Sequence, residues 1–200
     1  MAAEASHTSG LPTKLHLQIV SAAGGLVTSN CGVALQSRKI GGQADTLLVA
    51  GGWMVWHARG SWWIVPAVLA ACEKNNPDGR MALIGIAVGT EVLCRLSLVV
   101  PKAVHKAGFH PTAVYGAAGA AAGVATALRL NSRQIVDALG IVGSMASGII
   151  EYLAEGTWTK RMHAGWAAQS GIRAALLARA GFSGPRTVFE GVHGLFHGFA

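Results

Sequence analysis

Two short stretches of this chain carry residues able to move a proton or hold an anion. The first is Gly108-Phe109-His110-Pro111-Thr112, a histidine in a loop that opens directly into a helix. Free N–H groups and the positive end of the peptide dipole make a helix start a natural seat for a carboxylate. The same pattern also describes a plain helix-start turn, with proline at the first helical position. The second is Thr157-Trp158-Thr159-Lys160-Arg161-Met162-His163-Ala164-Gly165-Trp166, two cations and a histidine placed just before an alanine-rich helix. Lys160 and His163 are three apart, so one helical turn brings them to the same side. Lysine offers a point charge to a carboxylate, and histidine exchanges a proton near neutral pH. An ordinary solvated basic turn has the same composition, but positive charge at a helix N-terminus opposes the dipole unless an anion offsets it.

Other familiar constellations are missing. Gly116 to Gly123 does not have the spacing of a dinucleotide-binding loop and follows a loop, not a strand. There is no P-loop, no zinc-protease helix and no nucleophile elbow. His57 stands alone among tryptophans and reads as structural or incidental. Cys31, Cys72 and Cys94 are isolated and odd in number, which speaks against a disulfide framework or structural zinc and fits a reducing compartment.

The elements that must position the two stretches are helical. The 200 residues are 52% hydrophobic, 6% aromatic and 12% charged, with 27 glycines. Small residues at this density suit closely packed helices better than strands. Ile64–Glu73 reads as an apolar helix with Pro66 in its first turn. Asn75 to Gly79 is a turn, and Arg80–Val99 a long helix closed by Pro101. His105 to Pro111 reads as a loop, and Thr112–Arg129 as a third helix with Gly116, Gly119 or Ala120, and Gly123 near one face, where another backbone can approach. Asn131-Ser132-Arg133-Gln134 has the form of a capping box. A fifth helix, about His163–Ala180, stops at Gly181. Before residue 64 no defined element emerges, although Leu15–Val20 and Thr46–Ala50 are short enough to be strands or helix fragments.

Mean hydropathy is +0.42, which raises the question of a membrane span. Met81–Val100 contains Glu91 and Arg95, and Pro111–Leu128 is uncharged but weakly hydrophobic, so both read as interior helices. No membrane association is expected. Met1 to Gly10 has no basic leader and reads as no signal peptide, giving a cytoplasmic expectation, or mitochondrial in a eukaryote. Residues 64–200 hold 12 basic and 7 acidic side chains, a net +5 scattered along the chain. Without a basic cluster or an aromatic RNA-binding motif, nucleic acid is not an expected partner, and acidic small molecules fit equally well.

The stretch Gly108–Thr112, the run Val136-Asp137-Ala138-Leu139-Gly140-Ile141-Val142-Gly143-Ser144, the segment Gly156–His163, Ala178-Arg179-Ala180-Gly181-Phe182, and Asp78–Leu96 with Gly89-Thr90-Glu91-Val92 together resemble the MmgE/PrpD family of lyases. The resemblance spans residues 64–200 in order. It implies an all-α domain packed beside an α/β lid domain, a homodimer, and a small polycarboxylate substrate handled without metal or organic cofactor. Family members include 2-methylcitrate dehydratase, cis-aconitate decarboxylase and an imino-dicarboxylate epimerase. By the resemblance, His110 is a catalytic acid–base or carboxylate contact, Lys160 holds a substrate carboxylate, and His163 lies beside it. Arg161 and Thr112 complete the expected substrate-binding set.

One departure stands out. The family carries an Asp-rich loop and a following histidine before the helix that begins here near Pro66, whereas no carboxylate lies between Ala50 and Ile64. This implies a truncated member, with the lid absent and residues 1–63 a diverged or frame-shifted segment. Two functions follow as expectations: dehydration or decarboxylation of a citrate- or aconitate-like acid, with activity impaired, or a catalytically inactive fragment that acts as a dimerisation or binding partner.

Overall fold

A computed structural model describes residues 63–200 and, upstream, three short strands: β1 (Val20–Ser21), β2 (Gly25–Thr28) and β3 (Ala34–Lys39). The chain divides into two compact units, residues 1–51 and 52–200. In the first, β3 is the middle strand, parallel to β1 with Val20 opposite Arg38 and antiparallel to β2 with Gly25 opposite Ser37. The sequence showed no defined element at β2 or β3. The candidate segment at Thr46, the residues before Val20, and His57 with Trp53, Trp56 and Trp62 lie outside the described residues.

The second unit is all-α among its described residues. α1 (Ile64–Asn75) starts with Pro66 in its first turn and ends where Asn76 turns left-handed, its N–H donating to the Cys72 carbonyl. α2 (Gly79–Val99) is capped by Asp78, whose carboxylate accepts the Met81 N–H at 2.8 Å. The stretch after Pro101 is not entirely loop: α3 (Ala103–Lys106) is a single turn. α4 (Pro111–Ala127) begins at the proline itself, with His110 as its N-cap residue. α5 (Ser132–Gly143) opens with the expected capping box, the Asn131 side chain accepting from the Gln134 N–H and the Gln134 side chain accepting from the Asn131 N–H. α6 (Tyr152–Glu155) is a further turn, followed by α7 (Thr159–Arg179) and α8 (Leu195–Gly198).

α4 is the core. Nearly all of its residues are buried, and they are mostly alanine and glycine. A helix apolar on every side has to be surrounded, and its thin cylinder lets α2 and α7 come close on two flanks. On the α2 flank, a Cβ added at Gly89 would lie 2.6 Å from the Gly119 carbonyl oxygen, and one at Gly119 would lie 2.7 Å from that of Gly89. On the α7 flank, a Cβ at Gly171 would fall 2.6 Å from the Ala121 nitrogen. Backbone meets backbone at both crossings. By length and composition alone α2 could span a membrane. One of its faces is occupied by α4, while Ile84, Leu98 and Val99 are exposed and Glu91 pairs with Arg95 at 2.8 Å.

α7 starts at Thr159, a turn before the expected His163. Lys160, Arg161 and His163 are therefore inside the helix and not in a turn ahead of it. Its far end is as expected: Gly181 has φ +92°, and the Gly181 and Phe182 N–H groups donate to the Ala178 and Leu177 carbonyls. These bonds satisfy carbonyls that the helix end would leave open.

Candidate active site

The N-terminus of α4 and the first two turns of α7 meet, and the loop between α5 and α6 closes over them. Two backbone bonds hold that loop. The His110 N–H donates to the Gly148 carbonyl at 2.7 Å and the Ile150 N–H donates to the Gly108 carbonyl at 2.9 Å, which together make Phe109 and Ile149 an isolated antiparallel bridge. A strand-like clip therefore ties the histidine loop to the segment leading into α6.

This arrangement places His110 and His163 with their Nδ1 atoms 3.1 Å apart. Tyr152, from α6, stands edge-on to both rings, with centroids 5.9 Å from His110 and 5.6 Å from His163. His163 is 5% exposed and Tyr152 7%, while His110 is half-buried. Gly148 is needed for this closeness. Its φ is +134°, and a Cβ there would lie 2.7 Å from the Ala113 Cβ and 3.2 Å from Cε1 and Nδ1 of His163.

Electrostatics favour neutral rings. Burial, then the neighbouring His163, Lys160 and His105, bring the His110 pKa down to about 4. Burial also lowers that of His163 and raises that of the Tyr152 phenol. At neutral pH both imidazoles are uncharged, and each offers one donor and one acceptor nitrogen. Lys160 is exposed, with Nζ 5.8 Å from the centre of the Tyr152 ring. It supplies positive potential at the open edge of the group.

Beside these rings lies an open cleft of about 450 Å³, lined by Ser147, Gly148, Ile149, Glu151, Tyr152, Glu155, Thr157, Thr159, Met162 and His163. Its character differs from the expectation of an anion site, since it has two carboxylates and no Lys or Arg. Arg161 turns away and lays its guanidinium 4.7 Å from the centre of the exposed Trp158 ring. Thr112 sits half-buried in the first turn of α4 and does not line the cleft. Of the residues picked out in the sequence, His110, His163 and Lys160 come together here. Tyr152, Gly148, Glu151 and Glu155 were missed. The sequence held no signal that singles out the first, since both tyrosines, Tyr115 and Tyr152, fall between the two marked stretches. Among the described residues no group of three or more His, Cys, Asp or Glu side chains could hold a metal ion.

Residues 53–200 match the model of the MmgE/PrpD N-terminal domain, which begins upstream of Ile64. Similar proteins include the cis-aconitate decarboxylase of Homo sapiens, 35% identical over 137 residues, covering 67% of this chain and 28% of that protein. The cis-aconitate decarboxylase of Aspergillus terreus is 32% identical over 143 residues, covering 66% of this chain and 28% of its own length. A cis-aconitate decarboxylase-like protein of Aspergillus oryzae is 31% identical over 141 residues, covering 66% and 29%. The chain thus spans less than a third of the curated relatives it matches.

Proposed function

The chain belongs to the MmgE/PrpD family, and we propose that it carries the proton-transfer part of a cofactor-independent lyase acting on a small polycarboxylate of the cis-aconitate kind. The observation that carries this reading is the contact between His110 and His163 at 3.1 Å, with Lys160 at its open edge. A carbon beside a carboxylate is a weak acid. Dehydration needs a base to take its proton as hydroxide leaves. Decarboxylation breaks the C–C bond, releases CO2 and needs an acid to return a proton to the carbon left behind. A positioned imidazole serves either step and contributes about 10²–10⁴-fold.

His110 is the residue assigned to this transfer, and Lys160 holds a carboxylate of the substrate. A histidine with pKa about 4 is a weak base in the empty site. A bound carboxylate favours its charged form and moves the value back toward neutral pH, where proton transfer is most effective. Lys160 in turn offsets the negative charge that grows as the proton leaves. Glu151 and Glu155 repel an anion from the cleft itself, so the acid approaches along the edge where Lys160 and His110 stand.

The alternative is a non-catalytic domain that binds other copies or other proteins. It is favoured by the large apolar residues exposed around the cleft: Trp158 at 76%, with Ile149, Leu153, Met162 and Trp166. A homodimer in a reducing compartment is part of either proposal, because such a surface seldom stays uncovered. The test is incubation of the full chain with cis-aconitate, citrate and methylcitrate, following CO2 release and the appearance or loss of the double bond. Turnover that disappears in His110→Gln supports the lyase. No turnover, together with no stabilisation by any of the three acids, leaves the binding reading.

A further inference from the structure

Two imidazole nitrogens 3.1 Å apart constrain where protons can be. Two lone pairs facing at that distance repel, and so do two N–H groups. A bond forms only when one ring is protonated at Nδ1 and the other is bare there. In the neutral pair, one ring must therefore be the Nδ1–H tautomer and the other the Nε2–H tautomer. A proton added at an outer Nε2 leaves that bond intact. A second added proton sets N–H against N–H and two positive charges a hydrogen-bond length apart.

We propose that His110 and His163 share one proton between their Nδ1 atoms and work as a single acid–base unit holding at most one positive charge, in which His163 is the positioning residue that sets the tautomer His110 presents. This rests on the reading of the site as a proton-transfer centre and deepens it. The two rings have different roles because their surroundings differ. His163 is 5% exposed, while His110 is half-buried and feels the Lys160 charge. The ring that meets an anionic substrate is His110, and His163 acts through it. When His110 takes a proton from carbon, the proton lands on Nε2. The pair goes from neutral to a charge of +1, and the His110 Nδ1–H stays bonded to the bare Nδ1 of His163. The reverse step returns that proton to carbon and restores the neutral pair.

The surroundings hold the pair in this state. Tyr152 from α6 lies edge-on to both rings and keeps them from rotating apart. Lys160 from α7 and His105 from α3 add positive potential at His110, which opposes a second charge. Glu151 and Glu155 are the acidic groups lining the adjacent cleft, and neither makes an ion pair with the rings. Gly148 leaves the space in which the His163 ring lies.

The experiment is two-dimensional NMR of the histidine rings in the ¹⁵N-labelled full chain, titrated from roughly pH 8 to pH 4 so as to cross the ordinary histidine value. Wild type is compared with His163→Asn and His163→Phe. Asparagine places an amide where Nδ1 was, and phenylalanine keeps only the ring shape. The wild-type rings are expected in opposite neutral tautomers, with one proton gained by the pair. In His163→Phe the His110 tautomer is released and kcat falls about 10²-fold, the scale of a small misplacement of a reacting group, with KM little changed. In His163→Asn the tautomer is held and part of kcat returns. The same tautomer in both wild-type rings, or two protons taken up independently near the ordinary histidine value, overturns the proposal even if a variant fails to fold. A shared proton in a chain that turns over no acid leaves the pair standing and removes the lyase reading. Turnover with independent rings does the opposite.

Discussion

Replacing Gly148 by alanine tests whether one missing Cβ holds the histidine pair together. Two costs add at this position. The backbone has φ +134°, a conformation that side chains rarely adopt, and holding a residue there costs on the order of 1–3 kcal/mol. The new Cβ would also stand 2.7 Å from the Ala113 Cβ and 3.2 Å from the His163 ring. Ala113 is in the first turn of the buried core helix and has no flexible end to move, so the ring and the loop must give way. Overpacking of this sort costs a further ~1–3 kcal/mol. Relaxation is shared between the two costs, and roughly 2–4 kcal/mol in total corresponds to a drop of about 5–15 °C in Tm. Gly156→Ala is the matched control. It has φ +69° with no heavy atom within 4 Å of an added Cβ, so it reports backbone strain alone, about 1 kcal/mol. The assay is a thermal melt followed by circular dichroism, with the histidine ring NMR spectrum of each variant. Equal Tm losses in the two variants, or a pair signal that survives Gly148→Ala, would refute the claim that this glycine makes room for the pair.

The remaining predictions are more local. Gly89→Ala is expected to destabilise by ~1–3 kcal/mol, because the added Cβ would lie 2.6 Å from the Gly119 oxygen. Gly165→Ala, in an exposed helical position with nothing within 4 Å, is expected to stabilise by about 0.5–1 kcal/mol, and a melt that ranks the two in the other order contradicts the packing. Asn131→Ala removes the capping box and should cost ~1 kcal/mol, read as a lower urea midpoint. In the folded protein the His110 pKa lies below its unfolded value, about 4 against 6.5, so the unfolded chain binds more protons across that window. Stability should fall as the pH drops from 6.5 toward 4, and less steeply in His110→Gln; parallel curves for the two proteins contradict this. Cis-aconitate at 100 times its Kd should stabilise the chain by about 2.7 kcal/mol, and Lys160→Ala should abolish the shift if Lys160 holds a carboxylate.

Much of the helical frame was legible because its signals are local. Asn131 and Gly181 act on N–H and carbonyl groups within a few residues and begin and end helices as their spacing suggests, while Asp78, which reads only as part of a turn, caps α2. The spacing of Gly116, Gly119 and Gly123 marked a face for close approach; Gly119 and Gly123 meet α2, whereas Gly116 meets Trp63 and Ala167 of α7. The start of α7 was misplaced because Thr159 opens it without a side-chain cap, so the chain offers no capping pattern there to read. α3 and α6 were missed for a related reason: a single turn has no period. In the first unit, β2 and β3 went unnoticed because strands of four and six residues are too short for a period to decide.

Residue types and spacing alone determined that the chain contains an all-α domain, that α4 must be buried, and that His110, Lys160 and His163 are its candidate chemical groups. They also carried the likeness to the family. Tertiary structure decided which of these groups meet. His110 and His163 are far apart in the chain, and their separation depends on the angle between α4 and α7, on the clip between Phe109 and Ile149, and on the space left at Gly148. It also decided that Arg161 turns to Trp158 and that glutamates line the cleft. Helix periodicity specifies which side of a segment is apolar, because neighbours along the chain set it. The distance between two side chains on different helices is set by backbone contacts that no local pattern encodes.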